Sequence, residues 1–149
     1  LYSTGAYKAA DEAYGELYPI LREKGRFLFE YGHSLHKSLF YNESNKYLEE
    51  ACWYSTDPMI LNIIGKNYQE LHDYEQAENL FQRAIHRLPG RIYPYYLLAN
   101  LYVEPDFYNP DKLKEVAGIV LTKEPKVHST AIKEMRSKVR KILEKANVE

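Results

Sequence analysis

Residues 58–91 read PMILNIIGKNYQELHDYEQAENLFQRAIHRLPGR, and this stretch decides the fold. Leu61, Ile64, Gly65 and Tyr68 fall at the three-, four- and seven-residue offsets that share one face of a helix. Ala77, Phe81, Ala84 and Ile85 repeat that logic on a second helix, after a turn around His72 and Asp73. Pro58, Pro89 and Pro125 are expected near unit ends, where proline stops a helix.

The same slots recur along the chain. Shifted back by 33 residues they hold Leu28, Tyr31, Gly32, Leu35, then Ser44, Leu48, Ala51 and Cys52. Shifted forward they hold Tyr95, Leu98, Ala99, Tyr102, then Leu113, Ala117, Val120 and Leu121, with two extra residues in the turn Glu104–Pro110. Tyr7, Ala10, Tyr14, Leu17 and Tyr18 match the second helix of a unit. Gly32, Gly65 and Ala99 occupy one slot, and Gly costs about 1 kcal/mol in a helix interior, so the slot needs close helix packing to offset it. A last amphipathic segment begins at Ser129 or Thr130 as cap, with Ile132, Met135, Val139, Ile142 and Leu143 on one face and Lys133, Arg136, Lys138, Arg140, Lys141 and Lys145 elsewhere.

This pattern resembles the tetratricopeptide repeat, a helix–turn–helix unit of about 34 residues. Departures are His72, where the family usually has Gly, Leu61 where it often has Trp, Ser44 for a small Ala, and Ala99 for Gly. The expected fold is all-α: a right-handed superhelix of about three and a half such repeats with a C-terminal capping helix. Its divisions are one domain over 1–149, with a half-repeat at 1–24, repeats at 25–57, 58–91 and 92–125, and a cap at 126–149.

Such a stack has a concave face lined by the first helix of each unit. The register assigns to it Arg26, Phe29, His33, His36 and Lys37, then Met59, Asn62, Lys66, Gln69 and Glu70, then Tyr93, Tyr96, Asn100 and Glu104. Together they would make a mixed aromatic and polar trough for a peptide or glycan, although the same residues also read as ordinary surface. Lys and Asn, which grip a C-terminal carboxylate in some modules of this family, are replaced at the matching slots by Phe29 and His33, so that clamp is not supported. Of the 15 tyrosines, Tyr7, Tyr14, Tyr31, Tyr68, Tyr74, Tyr95 and Tyr102 take repeat-defining slots and are read as packing, whereas Tyr93 and Tyr96 leave that register.

Composition narrows the chemistry. The 149 residues carry 20 Lys+Arg against 21 Asp+Glu, which argues against a nucleic-acid partner. Residues 123–149 hold 8 basic and 4 acidic residues, leaving 12 against 17 elsewhere, so the tail is either a solvated cap face or a basic surface for anionic lipid or glycan. His33 and His36, with Glu30 one turn before, have helical metal spacing but lack further ligands, so no metal and no cofactor is expected. Cys52 cannot form an internal disulfide and is read as a small core hydrophobe. Asn42-Glu43-Ser44 is a formal glycosylation sequon. No Gly-rich phosphate loop, G-x-S-x-G or H-E-x-x-H occurs, so the expectation is a chain that is not an enzyme.

Five strings resemble one family more closely: Gly25–Gly32, Ser55–Ile60, Ile64–Tyr68, Leu88–Ala99 and Pro125–Met135. Together they are similar to the C-terminal repeat region of O-antigen ligase/polymerase-like membrane proteins of Bacteroides-type bacteria. That resemblance implies a periplasmic interaction domain that follows a multi-pass membrane part, which would lie upstream of Leu1 and contain the catalytic residues. A protein, peptide or glycan partner is implied, with membrane association only through that missing N-terminal part. The alternative is a stand-alone cytoplasmic scaffold or regulator that binds a peptide segment.

Overall fold

The structure, a computed structural model, describes residues 2–146 and the side chains of residues 6–146. The expected limits of the half-repeat at Leu1 and of the cap at Glu149 lie outside the described residues. Eight α-helices and no strand occur among the described residues: α1 (Tyr2–Leu21), α2 (Gly25–Lys37), α3 (Tyr41–Ala51), α4 (Pro58–Glu70), α5 (Tyr74–Arg87), α6 (Tyr93–Tyr102), α7 (Pro110–Thr122) and α8 (Thr130–Lys145). They form two compact units, Leu1–Asp73 with α1 to α4 and Tyr74–Glu149 with α5 to α8.

In the first unit α2 and α3 make the tightest hairpin, and its centre shows why the repeat slot at Gly32 is small. A Cβ there would lie 2.5 Å from Leu48 Cδ2 and 3.3 Å from the Ser44 carbonyl oxygen. Leu48 has no exposed surface, and burying a side chain of that size contributes about 2 kcal/mol. Leu28, Leu35, Ala51, Ile60, Leu61 and Ile64 complete the apolar interior. Tyr14, Phe27, Tyr31 and Tyr47 pack ring on ring beside it, Tyr31 and Tyr47 with centroids 4.3 Å apart. Cys52, expected in the core, is only half-buried. Ala51 beside it points fully inward, because a one-residue step on a helix turns the side chain by about 100°.

The turns after α2 and α4 share one construction. Leu39 and His72 both have positive φ, 71° and 63°. At each, the next amide reaches back five residues, Phe40 N–H to the Leu35 carbonyl and Asp73 N–H to the Tyr68 carbonyl, both 2.8–2.9 Å. This closes the helix with a left-handed residue, the place where glycine is usual. His72 departs from the repeat pattern in residue type while keeping the backbone shape that glycine normally serves.

Prolines do two jobs. Pro89 and Pro125 follow the ends of α5 and α7. Pro58 instead opens α4: Asp57 caps the helix by accepting from Met59 N–H at 2.9 Å, and proline at the first position lacks only a donor that would have been unpaired. Pro110 and Asn109 do the same for α7, with Asn109 accepting from Lys112 N–H at 3.0 Å.

In the second unit Ala77, Phe81, Ala84, Leu98, Ala99, Leu113, Ala117 and Val120 are buried. Ser129 is the cap of α8, accepting from Ile132 N–H at 3.3 Å. Val139 is fully buried, and Ile132, Met135, Ile142 and Leu143 are half-buried around it. Arg136 was expected among the outward charges. It turns back onto α7, donating from Nε to the Val120 carbonyl at 3.0 Å and from Nη2 to the Lys123 carbonyl at 2.6 Å. Those carbonyls end a helix and have no partner within it, so the cation satisfies them.

Candidate functional site

The residues expected to line a binding face fall into both units. Arg26, Phe29, His33, His36 and Lys37 lie on α2, and Met59, Asn62, Lys66, Gln69 and Glu70 on α4, all in the first unit. Tyr93, Tyr96 and Asn100 lie on α6 and Glu104 just beyond it, in the second.

On α2, helical spacing stacks three planar rings in a row. Phe29 and His33 lie with centroids 6.0 Å apart and planes 20° from parallel, and His33 and His36 follow at 6.4 Å and 13°. Tyr41 of α3 meets His36 edge-on at 5.9 Å. Arg26 is almost fully exposed and pairs along its own helix with Glu30 at 3.1 Å, a contact of a few tenths of a kcal/mol. Lys37 is exposed, and Phe29, His33, His36, Lys66 and Gln69 are half-buried.

Behind the rings lies a buried polar chain. His36 Nδ1 is 2.6 Å from Asn67 Oδ1. The Asn67 amide donates to Ser44 Oγ at 2.9 Å and to Asn45 Oδ1 at 2.8 Å, and Ser44 Oγ donates to the Gly32 carbonyl at 2.6 Å. These donors and acceptors fit one arrangement. Because Asn67 uses its NH₂ on two oxygens, its carbonyl must accept, so His36 carries its hydrogen on Nδ1 and keeps a lone pair on Nε2. Asn67 and Ser44 have no exposed surface, so each bond is made away from water.

The electrostatics follow from that burial. Desolvation, with Lys66, Lys37 and His33 close by, holds His36 down to about 4 despite its bond to Asn67. His33 is lowered for the same reason, first by burial and then by Lys37 and Lys66. Both rings are therefore neutral at pH 7. Asn62, expected on the open face, is buried on α4, and its Oδ1 has no hydrogen-bond partner. On α6, Tyr93 and Tyr96 stack at 6.3 Å, and Asn100 donates to the Tyr96 carbonyl at 3.2 Å, so its amide is partly committed to its own helix. No group of three or more His, Cys, Asp or Glu side chains could hold a metal ion among the described residues.

No protein-family model matches the chain, and no curated protein matches it. Solved structures do. A crystal structure of MamA aligns with TM-score 0.72 at 19% identity over 95% of this chain and 87% of that one. PcrH from Pseudomonas aeruginosa aligns with TM-score 0.70 at 13% identity, over 83% of this chain and 92% of that one. MamA 41-end from Desulfovibrio magneticus RS-1 gives 0.65 at 18%, over 95% and 68%. These are all-helical repeat proteins of the tetratricopeptide type. The fold of this chain is of that type. At such identities the likeness establishes fold and nothing further.

Sequence reasoning missed Asn67, Ser44 and Asn45. Ser44 carried the available signal, since a hydroxyl replaces the small apolar residue of the repeat pattern. Its partner Asn67 lies 23 residues away on another helix, and no local pattern links the two. Likewise Tyr68 and Tyr102, read only as packing, each donate from the hydroxyl to a glutamate on the preceding helix, Glu49 at 3.3 Å and Glu78 at 2.5 Å.

Proposed function

We propose that the chain is a non-catalytic interaction module with repeats at 25–57, 58–91 and 92–125, and that it holds an extended peptide on α2 and α4, the first helices of the repeats in its first unit. The observation that carries this reading is the row Phe29, His33 and His36. It offers a flat ring surface, fixed from behind by Asn67 and flanked by Lys37 and Lys66. Rings held in place lose little freedom on binding, which is what favours a binding surface. No helix among the described residues is long and apolar enough to cross a membrane.

The test is selection of binding peptides from a random library, followed by titration of the best into wild type, F29A/H33A and Y93A/Y96A. Loss of about tenfold or more in affinity on the first variant is expected, as for a truncated interface anchor. Unchanged affinity in F29A/H33A would refute the reading. Neutral oligosaccharides run in parallel separate a glycan site from a peptide site.

The narrower proposal, a periplasmic part of a surface-polysaccharide assembly protein, rests on the five strings between Gly25 and Met135 alone. Apolar spans of about 20 residues encoded upstream of Leu1 would agree with it. Their absence would favour the cytoplasmic scaffold.

A further inference from the structure

The third repeat departs from the other two in its turn, and the departure builds a cleft. Between α2 and α3, and between α4 and α5, the chain crosses in three residues, 38–40 and 71–73. Between α6 and α7 it takes seven, 103–109, and folds Pro105–Phe107 into a single 3-10 turn. That longer turn walls a cleft of about 630 Å³ in the second unit, together with Glu75 and Glu78 of α5, Tyr102 of α6 and Lys112 of α7. The volume lies within the range of small-ligand pockets.

The cleft has an aromatic floor. Tyr102 is buried and lies nearly parallel to Phe107, with centroids 6.2 Å apart, and Tyr74 also stacks with Phe107, at 5.8 Å. Tyr108 stands at the mouth with 47% of its surface exposed. The charge is unbalanced. Glu78 Oε2 is already satisfied by the Tyr102 hydroxyl at 2.5 Å and by Lys112 Nζ at 3.2 Å. Glu75 and Asp106 are exposed carboxylates with no ion pair or hydrogen bond among the described residues. With Lys112 set against Glu78, two negative charges remain beside exposed aromatic surface.

We propose that this cleft receives an arginine side chain of a partner protein, a site separate from the peptide face on α2 and α4. A guanidinium lies flat on a tyrosine ring and offers paired N–H donors to carboxylates. Tyr108 supplies the ring, and Glu75 and Asp106 supply the acceptors. An ammonium group has the charge without the plane, and a neutral sugar has neither.

The experiment titrates a blocked Gly-Arg-Gly-Arg-Gly peptide into the ¹⁵N-labelled chain, reading amide shifts up to about 10 mM peptide, the concentration range such a small ligand needs. Counterparts with citrulline, which keeps the planar shape and loses the charge, and with lysine run beside it. Shifts centred on Tyr102, Phe107 and Tyr108 are expected. Binding should be about tenfold weaker for citrulline, for lysine, and for the arginine peptide with E75Q/D106N. Both substituted side chains are exposed and isosteric, and an unchanged thermal melt confirms the fold of the variant. The assignment fails if the arginine peptide causes no shifts, if its shifts map elsewhere, if citrulline or lysine binds as well, or if E75Q/D106N binds like wild type.

Discussion

Acidification should loosen the first unit through His36. Folding holds this ring at about 4, against an ordinary value of 6.5, by taking it out of water beside Lys66, Lys37 and His33. A histidine depressed in the folded state contributes full stability above the unfolded value and loses it as pH falls through that value toward the folded one. The window is therefore about pH 6.5 down to about pH 4. At about pH 5 the unfolded chain has the ring almost fully protonated and the folded chain almost fully neutral. The loss between pH 7 and pH 5 is then up to about 2 kcal/mol. That is a sizeable part of the stability of a domain, which is about 5–15 kcal/mol. His33, lowered for similar reasons, adds to the loss with the same sign. Urea unfolding at fixed ionic strength, followed by circular dichroism, reads the change as a falling midpoint. In H36Q the amide can still donate toward Asn67 but cannot titrate, so most of the slope above pH 5 should vanish. A slope identical in wild type and H36Q, or an NMR titration of His36 near 6 or above, would refute the reasoning.

Four further substitutions probe the same scaffold. G32A gains about 1 kcal/mol of helix propensity but forces a methyl group onto buried Leu48, where overpacking costs about 1–3 kcal/mol, so a net loss is expected in denaturant melts. G118A meets nothing within 4 Å and should stabilise by up to about 1 kcal/mol, which makes it the matched control. N67D replaces the NH₂ that feeds Ser44 and Asn45 by an oxygen facing two oxygens. It should cost roughly 3–5 kcal/mol at pH 7, and less at pH 4–5, where a buried acid whose folded value is raised regains its proton. L39G relieves an exposed leucine held at positive φ and should raise the melting midpoint by the equivalent of about 1 kcal/mol.

The helix pairs were legible because each rests on local spacing. The slots of Gly32, Leu48, Phe81, Ala99 and Val120 all turned out buried, and Ser129 proved to be the cap of α8. The candidate binding residues were legible only as positions on a helix face. Asn62 came from the same register as Phe29 and His33 yet is buried, and Arg136 left its charged face for two backbone carbonyls. Register gives the direction in which a side chain leaves its helix, while burial depends on what the neighbouring helix places there.

Period, helix order and the terminal cap follow from the sequence alone, since they need only the recurrence of apolar and small residues at helical offsets. The neutral state of His36, the buried chain through Asn67 and Ser44, the left-handed backbone at Leu39 and His72, and the cleft at Pro105–Asn109 were decided by tertiary structure. Each depends on groups brought together from separate helices, or on a backbone shape imposed by packing against the residue's own preference. Spacing along the chain carries no record of those distances.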